Sequence, residues 1–166
     1  MGYLIFKKEG KTIMYSQYSN QPVSDPEYMT LLGTALYVFN ANNAFIIENM
    51  LNVSNHRDWW HLIDQESGNI DSMIQSRHYS SAFNEHNEIL SLFHDLVLRR
   101  NRIIHSFPVT SYEESDDPDG QILRTKEKVE AGNNQFTIDK DFLLKFIKDN
   151  DKLSRLLNDL RNHLSE

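Results

Sequence analysis

Cysteine is absent from this 166-residue chain. Its absence excludes disulfides, thiolate nucleophiles and Cys-based zinc sites, and it fits a reducing compartment. Glycine and proline number only 6 and 4, and they form neither a Gly-rich phosphate loop nor a low-complexity linker. No stretch of about 18 residues is uninterruptedly apolar, so no membrane span is expected. Met1 to Lys8 lacks the basic-then-apolar order of a signal peptide, and the expected location is cytoplasmic. Positive charge is short as well. Net charge is −7, which excludes a protein that coats nucleic acid through its bulk field but leaves room for a small local basic site. There is no His-Glu-x-x-His zinc motif and no Gly-x-Ser-x-Gly elbow. What remains is acid–base chemistry by histidine, helped by arginine, with no metal or cofactor expected.

Hydrophobic residues make up 39% and charged residues 25%, ordinary for one globular domain with a real core. One domain over 1–166 is expected, with an N-terminal hairpin within 1–23. The fold class read from the pattern is mainly α, a bundle of about four or five helices, with small β-hairpins near residues 3–18 and 108–129. Tyr3 to Phe6 and Thr12 to Tyr15 flank Gly10 as hairpin strands. Ser24-Asp25-Pro26-Glu27 is a helix start, and that helix should run to about Val53. Asn42 and Asn49 share its apolar face and need hydrogen-bond partners. Trp59 to Ile63 is a short apolar segment, and Asp71 is placed to cap another short helix. His56 and His61 are five apart, an awkward spacing for one metal, and read as surface or packing residues. Val109 to Tyr112 and Ile122 to Val129 flank an acidic tip, Glu113 to Asp119, read as a solvated turn. Thr137 is expected to cap the last helix, near 138–164, in which Asp149-Asn150-Asp151 is the one place where a break could fall.

The middle helix, expected over about 84–106, ends in Leu98-Arg99-Arg100-Asn101-Arg102-Ile103-Ile104-His105-Ser106-Phe107-Pro108. At about 100° per residue, Ile89, Phe93, Leu96, Val97, Ile103 and Ile104 all lie within about 60° of Arg100. Arg100 thus sits in the apolar stripe and must be paired, or face a cleft or a partner. Glu48, the sole acid between Tyr28 and Val53, is a candidate structural partner. Asn101, His94 and His105 share one shoulder of the helix, roughly 100–140° round. Arg99, Arg100 and Arg102 form the densest positive charge in the chain.

The spacing Arg100-Asn101-x-x-x-His105 resembles the signature of the HEPN superfamily, small helical domains among which are metal-independent ribonucleases of toxins and phage defence. The order of elements looks similar from about Asp25 to Leu164. The resemblance implies an endoribonuclease in which RNA supplies its own 2′-OH nucleophile. His105 would be the acid/base, Arg100 the phosphate clamp and Asn101 a third catalytic residue, with Arg99 and Arg102 binding substrate. The products would be a 2′,3′-cyclic phosphate and a 5′-hydroxyl. Arg100 and His105 are about 140° apart on a straight helix, and the resemblance resolves this through a homodimer whose two motifs line one cleft. An antitoxin or other regulatory protein is a further implied partner. One departure stands out. Some of these toxins carry a modifiable Tyr two residues after the His, and here that residue is Phe107, so control of that kind is not expected. The competing reading is a catalytically inactive helical dimer that binds a protein or nucleotide.

Overall fold

The computed structural model describes residues 4–8, 11–14, 24–54, 57–76, 79, 82–83, 86–110, 121–126 and 135–164, the first two segments through their backbone. Five helices are present among them. They are α1 (Pro26–Val53), α2 (Trp59–Ile63), α3 (Ser67–Ile74), α4 (Asn87–Ile104) and α5 (Lys140–Leu164). The strands are β1 (Leu4–Lys8), β2 (Lys11–Met14), β3 (Phe107–Thr110), β4 (Gln121–Arg124) and β5 (Thr137–Ile138). The protein is mainly helical, as the apolar periodicity predicts. The connector at 17–23, the acidic tip at 113–119, the turn at 131–134 and His56 lie outside the described residues. The chain forms two compact units, Met1–Thr34 with Arg102–Leu143, and Ala35–Asn101 with Leu144–Glu166.

In the first unit, β1 and β2 make the expected antiparallel hairpin, with Leu4 opposite Met14 and an irregularity between Leu4 and Phe6. β3, β4 and β5 form a second antiparallel sheet in that order. The pairing of β3 with β4 is the second hairpin. β5 is an addition, only two residues long, that sets Ile138 opposite Leu123. Thr137 therefore does not cap α5. It is a β-branched residue used in a strand, and Asp139 is the cap instead, its Oδ1 accepting from the Phe142 amide at 2.7 Å. At the start of α1, Asp25 Oδ1 accepts from the Tyr28 amide at 3.0 Å. Tyr28 is buried, and its hydroxyl donates to the Ile138 carbonyl at 2.7 Å and accepts from the Leu123 amide at 3.1 Å. One side chain of α1 thus bridges paired residues of β4 and β5.

In the second unit, Phe39 of α1 stacks on Phe93 of α4 and Phe146 of α5, with centroids 6.2 and 6.1 Å apart. Ile46, Ile47, Met50, Ile89, Leu96, Leu153 and Leu157 are buried there too. The two buried amides of α1 are accounted for differently. Asn42 Nδ2 donates to the Asn150 carbonyl at 2.7 Å and to its Oδ1 at 3.0 Å. Asn49 Nδ2 donates to Phe45 O at 2.9 Å, while its Oδ1 has no partner among the described residues. Asn150 is satisfied in this way and donates to Phe146 O, and α5 continues unbroken through 149–151 as the helix expected near 138–164. α2 is capped by Asp58, which accepts from the His61 amide at 2.8 Å. By length and composition α1 is apolar enough to cross a membrane, since it carries few charges despite lacking an unbroken apolar run. In this fold its buried positions, among them Phe39, Ile46, Ile47 and Met50, belong to the core.

Candidate functional site

α4 positions the motif. Its apolar positions Ile89, Phe93, Leu96, Val97 and Ile103 are buried, as the periodicity predicts. Ile104 departs from the stripe and is exposed, because the helix stops there. The residues before Pro108 cannot continue a helix comfortably. Ser106 closes the end, its hydroxyl donating to Ile103 O at 2.5 Å and its amide to the same oxygen at 3.2 Å.

Within the second unit, Arg100 is half-buried, its guanidinium lying 5.5 Å from the centroid of the Phe39 ring. It donates to Asn101 Oδ1 at 3.1 Å. Among the described residues no carboxylate pairs with it. Glu48, the candidate partner, is exposed and makes no ion pair with Arg100, because a long acidic side chain near a helix end reaches water at less cost than it meets a buried cation. Arg100 is thus held by a ring face and a neighbouring amide, and most of its N–H donors are uncommitted among the described residues.

Arg99 has the opposite fate. It pairs with Asp95 at 2.6 Å and Asp149 at 2.7 Å, and lies 5.5 Å from the Phe146 centroid. Lys145 also reaches Asp149 at 3.1 Å. Burial pushes the Asp149 carboxyl up, but Arg99 and Lys145 outweigh it and hold the group below its ordinary range. A substrate-binding role for Arg99 competes with two carboxylates.

Two expected residues fall in the first unit. Arg102 donates to Lys126 O at 3.1 Å and lies 5.9 Å from the Phe136 centroid. His105 follows the last residue of α4 and is exposed, and its side chain makes no hydrogen bond to a described residue. Phe107 is itself 37% exposed and does not cover it. The structure therefore brings Asn101 to Arg100, leaves His105 open to solvent, and commits Arg99 elsewhere.

The structure also assembles a group that the sequence reading divided. Asp71 lies inside α3, not at its N-terminus, and is buried. His94 Nδ1 meets Asp71 Oδ2 at 2.7 Å, and Gln75 Nε2 donates to Asp71 Oδ1 at 3.0 Å. The available signal was an acid beside Ile70 and Ile74, an apolar helical face on which a carboxylate requires partners.

Among the described residues, no group of three or more His, Asp or Glu is placed to hold a metal ion. Compared with known proteins, the chain matches no family model, no curated protein and no solved structure.

Proposed function

We propose that this protein is an endoribonuclease of the HEPN type, acting as a homodimer. The observation that carries the reading is Arg100, a half-buried guanidinium without a carboxylate partner among the described residues, five residues before an exposed histidine. A cation held by a ring face and an amide keeps its fork available for a phosphate, which it can bind bidentately. Asn101 orients that fork through its Oδ1. His105, whose exposed ring carries nitrogens that can accept and donate a proton, serves as acid/base. The 2′-oxygen attacks phosphorus as its proton passes to an imidazole. The P–O5′ bond breaks, and the 5′-oxygen takes up a proton from an imidazolium. In the proposed dimer, motifs from both protomers line one cleft, which supplies one histidine for each proton transfer. Arg102 extends the basic surface. A toxin or phage-defence setting, and an antitoxin-like regulator, follow from the resemblance.

The test is cleavage of single-stranded RNA by purified protein, with and without EDTA, with the ends of the products identified. Cleavage is expected to persist in EDTA and to leave 2′,3′-cyclic phosphates. His105→Ala should lower the rate about 10²–10⁴-fold without moving the melting temperature, since the side chain is exposed. Arg100→Ala should lose activity as well. His61→Ala, which removes an exposed histidine bonded to Arg57 at 2.7 Å, should have no effect. RNA that is bound but never cut would point to the inactive binding module instead. Full activity in His105→Ala would sink the assignment.

A further inference from the structure

A second feature lies on the same helix and takes no part in the proposed cleavage step. A pocket of about 500 Å³ between α1 and α5 exposes mostly apolar surface, with Lys148 and Asp151 in its lining, and a smaller one of about 380 Å³ is lined by Gln75, Asn87, Leu90, Ser91 and His94. Its chemistry is specific. Asp71, whose side chain is 9% exposed, lies behind His94, whose side chain is 52% exposed. With Nδ1–H donated to that carboxylate, the ring is held in one orientation and Nε2 faces away from Asp71, free for a ligand. Gln75 donates to the other oxygen of Asp71, which leaves its own carbonyl oxygen. The Asn87 amide makes no hydrogen bond among the described residues, and Ser91 spends its proton on Glu88 O at 3.2 Å. Leu90 supplies an apolar wall.

Among the described residues, no lysine or arginine lines this pocket. Of the described acids beside it, Asp71 is paired with His94, and Glu88, one residue from Asn87, is bonded to Lys152. A phosphate therefore has no counter-charge among the described lining residues. Two amides, a hydroxyl, a fixed imidazole and one aliphatic wall are instead the groups that read the edge and face of an unpaired base. At about 100° per residue, Asn87, Ser91, His94, Leu98 and Asn101 fall in an arc about 80° wide. Asn87, Ser91, His94 and Leu98 are exposed and Asn101 half-buried. The stripe runs from the pocket to the residue that holds Arg100, about 10 Å along the axis from His94 to Asn101.

We propose that this pocket is a nucleobase subsite for single-stranded RNA, with His94 as the base-contacting residue and Asp71 its positioning residue. The proposal rests on the ribonuclease reading and adds to it a site that selects a base beside the bond to be cut.

The test uses His105→Ala as a binding-competent background and fluorescence anisotropy with single-stranded RNA oligonucleotides. An abasic nucleotide is walked through the oligonucleotide. One position should cost about tenfold in affinity, the usual size of a lost base contact. His94→Ala in that background should lose about as much on intact RNA and nothing further at that position, because both changes remove one contact. Asp71→Asn should behave like His94→Ala, and Asp71→Glu should recover part of the loss. With His105 present, His94→Ala should raise KM and leave kcat unchanged. Losses that multiply at every abasic position, unchanged affinity in His94→Ala, or a fall in kcat at constant KM would each overturn the subsite while leaving the ribonuclease reading intact. Failure of the background protein to bind any single-stranded RNA would overturn both.

Discussion

Arg99, Arg100 and Arg102 are near neighbours in sequence and differ in what neutralises them. Arg99 lies between Asp95 and Asp149, Arg100 rests on Phe39, and Arg102 donates to a main-chain carbonyl. The difference matters for stability as well as function. Asp149→Asn should cost about 1–2 kcal/mol at pH 7, because Arg99 stays half-buried with one exposed acid left. The pH dependence follows from the lowered Asp149 group. Its stabilisation is fully present above the ordinary value of 3.8 and is lost as pH falls toward the lower folded value. Urea unfolding of parent and variant should therefore differ at pH 7 and converge below pH 3.8. A gap that does not narrow as pH falls below 3.8 would show that the ion pairs of Asp149 are not its source.

At the scale of elements, β5 has only two residues, too short to order itself. What anchors it in the first unit includes the Tyr28 hydroxyl, which joins Ile138 O to the Leu123 amide. Tyr28→Phe keeps the ring and removes the bridge, leaving a buried donor and acceptor without it. The expected cost is about 1–3 kcal/mol at neutral pH, read as a lower denaturant midpoint. Burial, the largest cause, pushes the Tyr28 phenol up to about 12. A raised phenol favours the protonated folded state, so its stabilisation is complete below pH 10 and drains away as pH rises from 10 to about 12. The deficit of Tyr28→Phe relative to the parent should accordingly shrink across that window. A constant deficit would place the hydroxyl's effect in packing alone.

For the whole molecule, the proposed composite cleft requires two chains. Light scattering at micromolar concentration should give twice the 19.5 kDa chain mass, and so should His105→Ala, whose change is exposed. Arg100→Ala is the variant to compare, because its guanidinium covers the Phe39 ring. If it dissociates the dimer, activity and mass should fall together with dilution. A parent protein that stays at the mass of one chain would remove the composite cleft, and with it the explanation for the 140° separation of Arg100 and His105 on their helix.

The long helices are legible in the chain because their signals are local. Asp25-Pro26 opens α1, apolar residues recur at helical spacing in α1, α4 and α5, and Pro108 stops α4. The motif Arg100, Asn101 and His105 is visible for the same reason: one helix end carries it. Tertiary structure decided which groups meet across long separations. Asp71 meets His94 over 23 residues, Arg99 meets Asp149 over 50, and Tyr28 meets Ile138 over 110. Those contacts made Asp71 a positioning group where a cap was expected, took Arg99 out of the free positive charge, and let Asn42 carry α5 unbroken through Asn150. Packing also put an aromatic ring under Arg100, for which Glu48 was one candidate partner. A repeating pattern of apolar residues specifies which face of an element is buried, but not which residue on another element will face it. The partner of a polar side chain on that face is settled only when the helices pack and each buried donor and acceptor has to find its match.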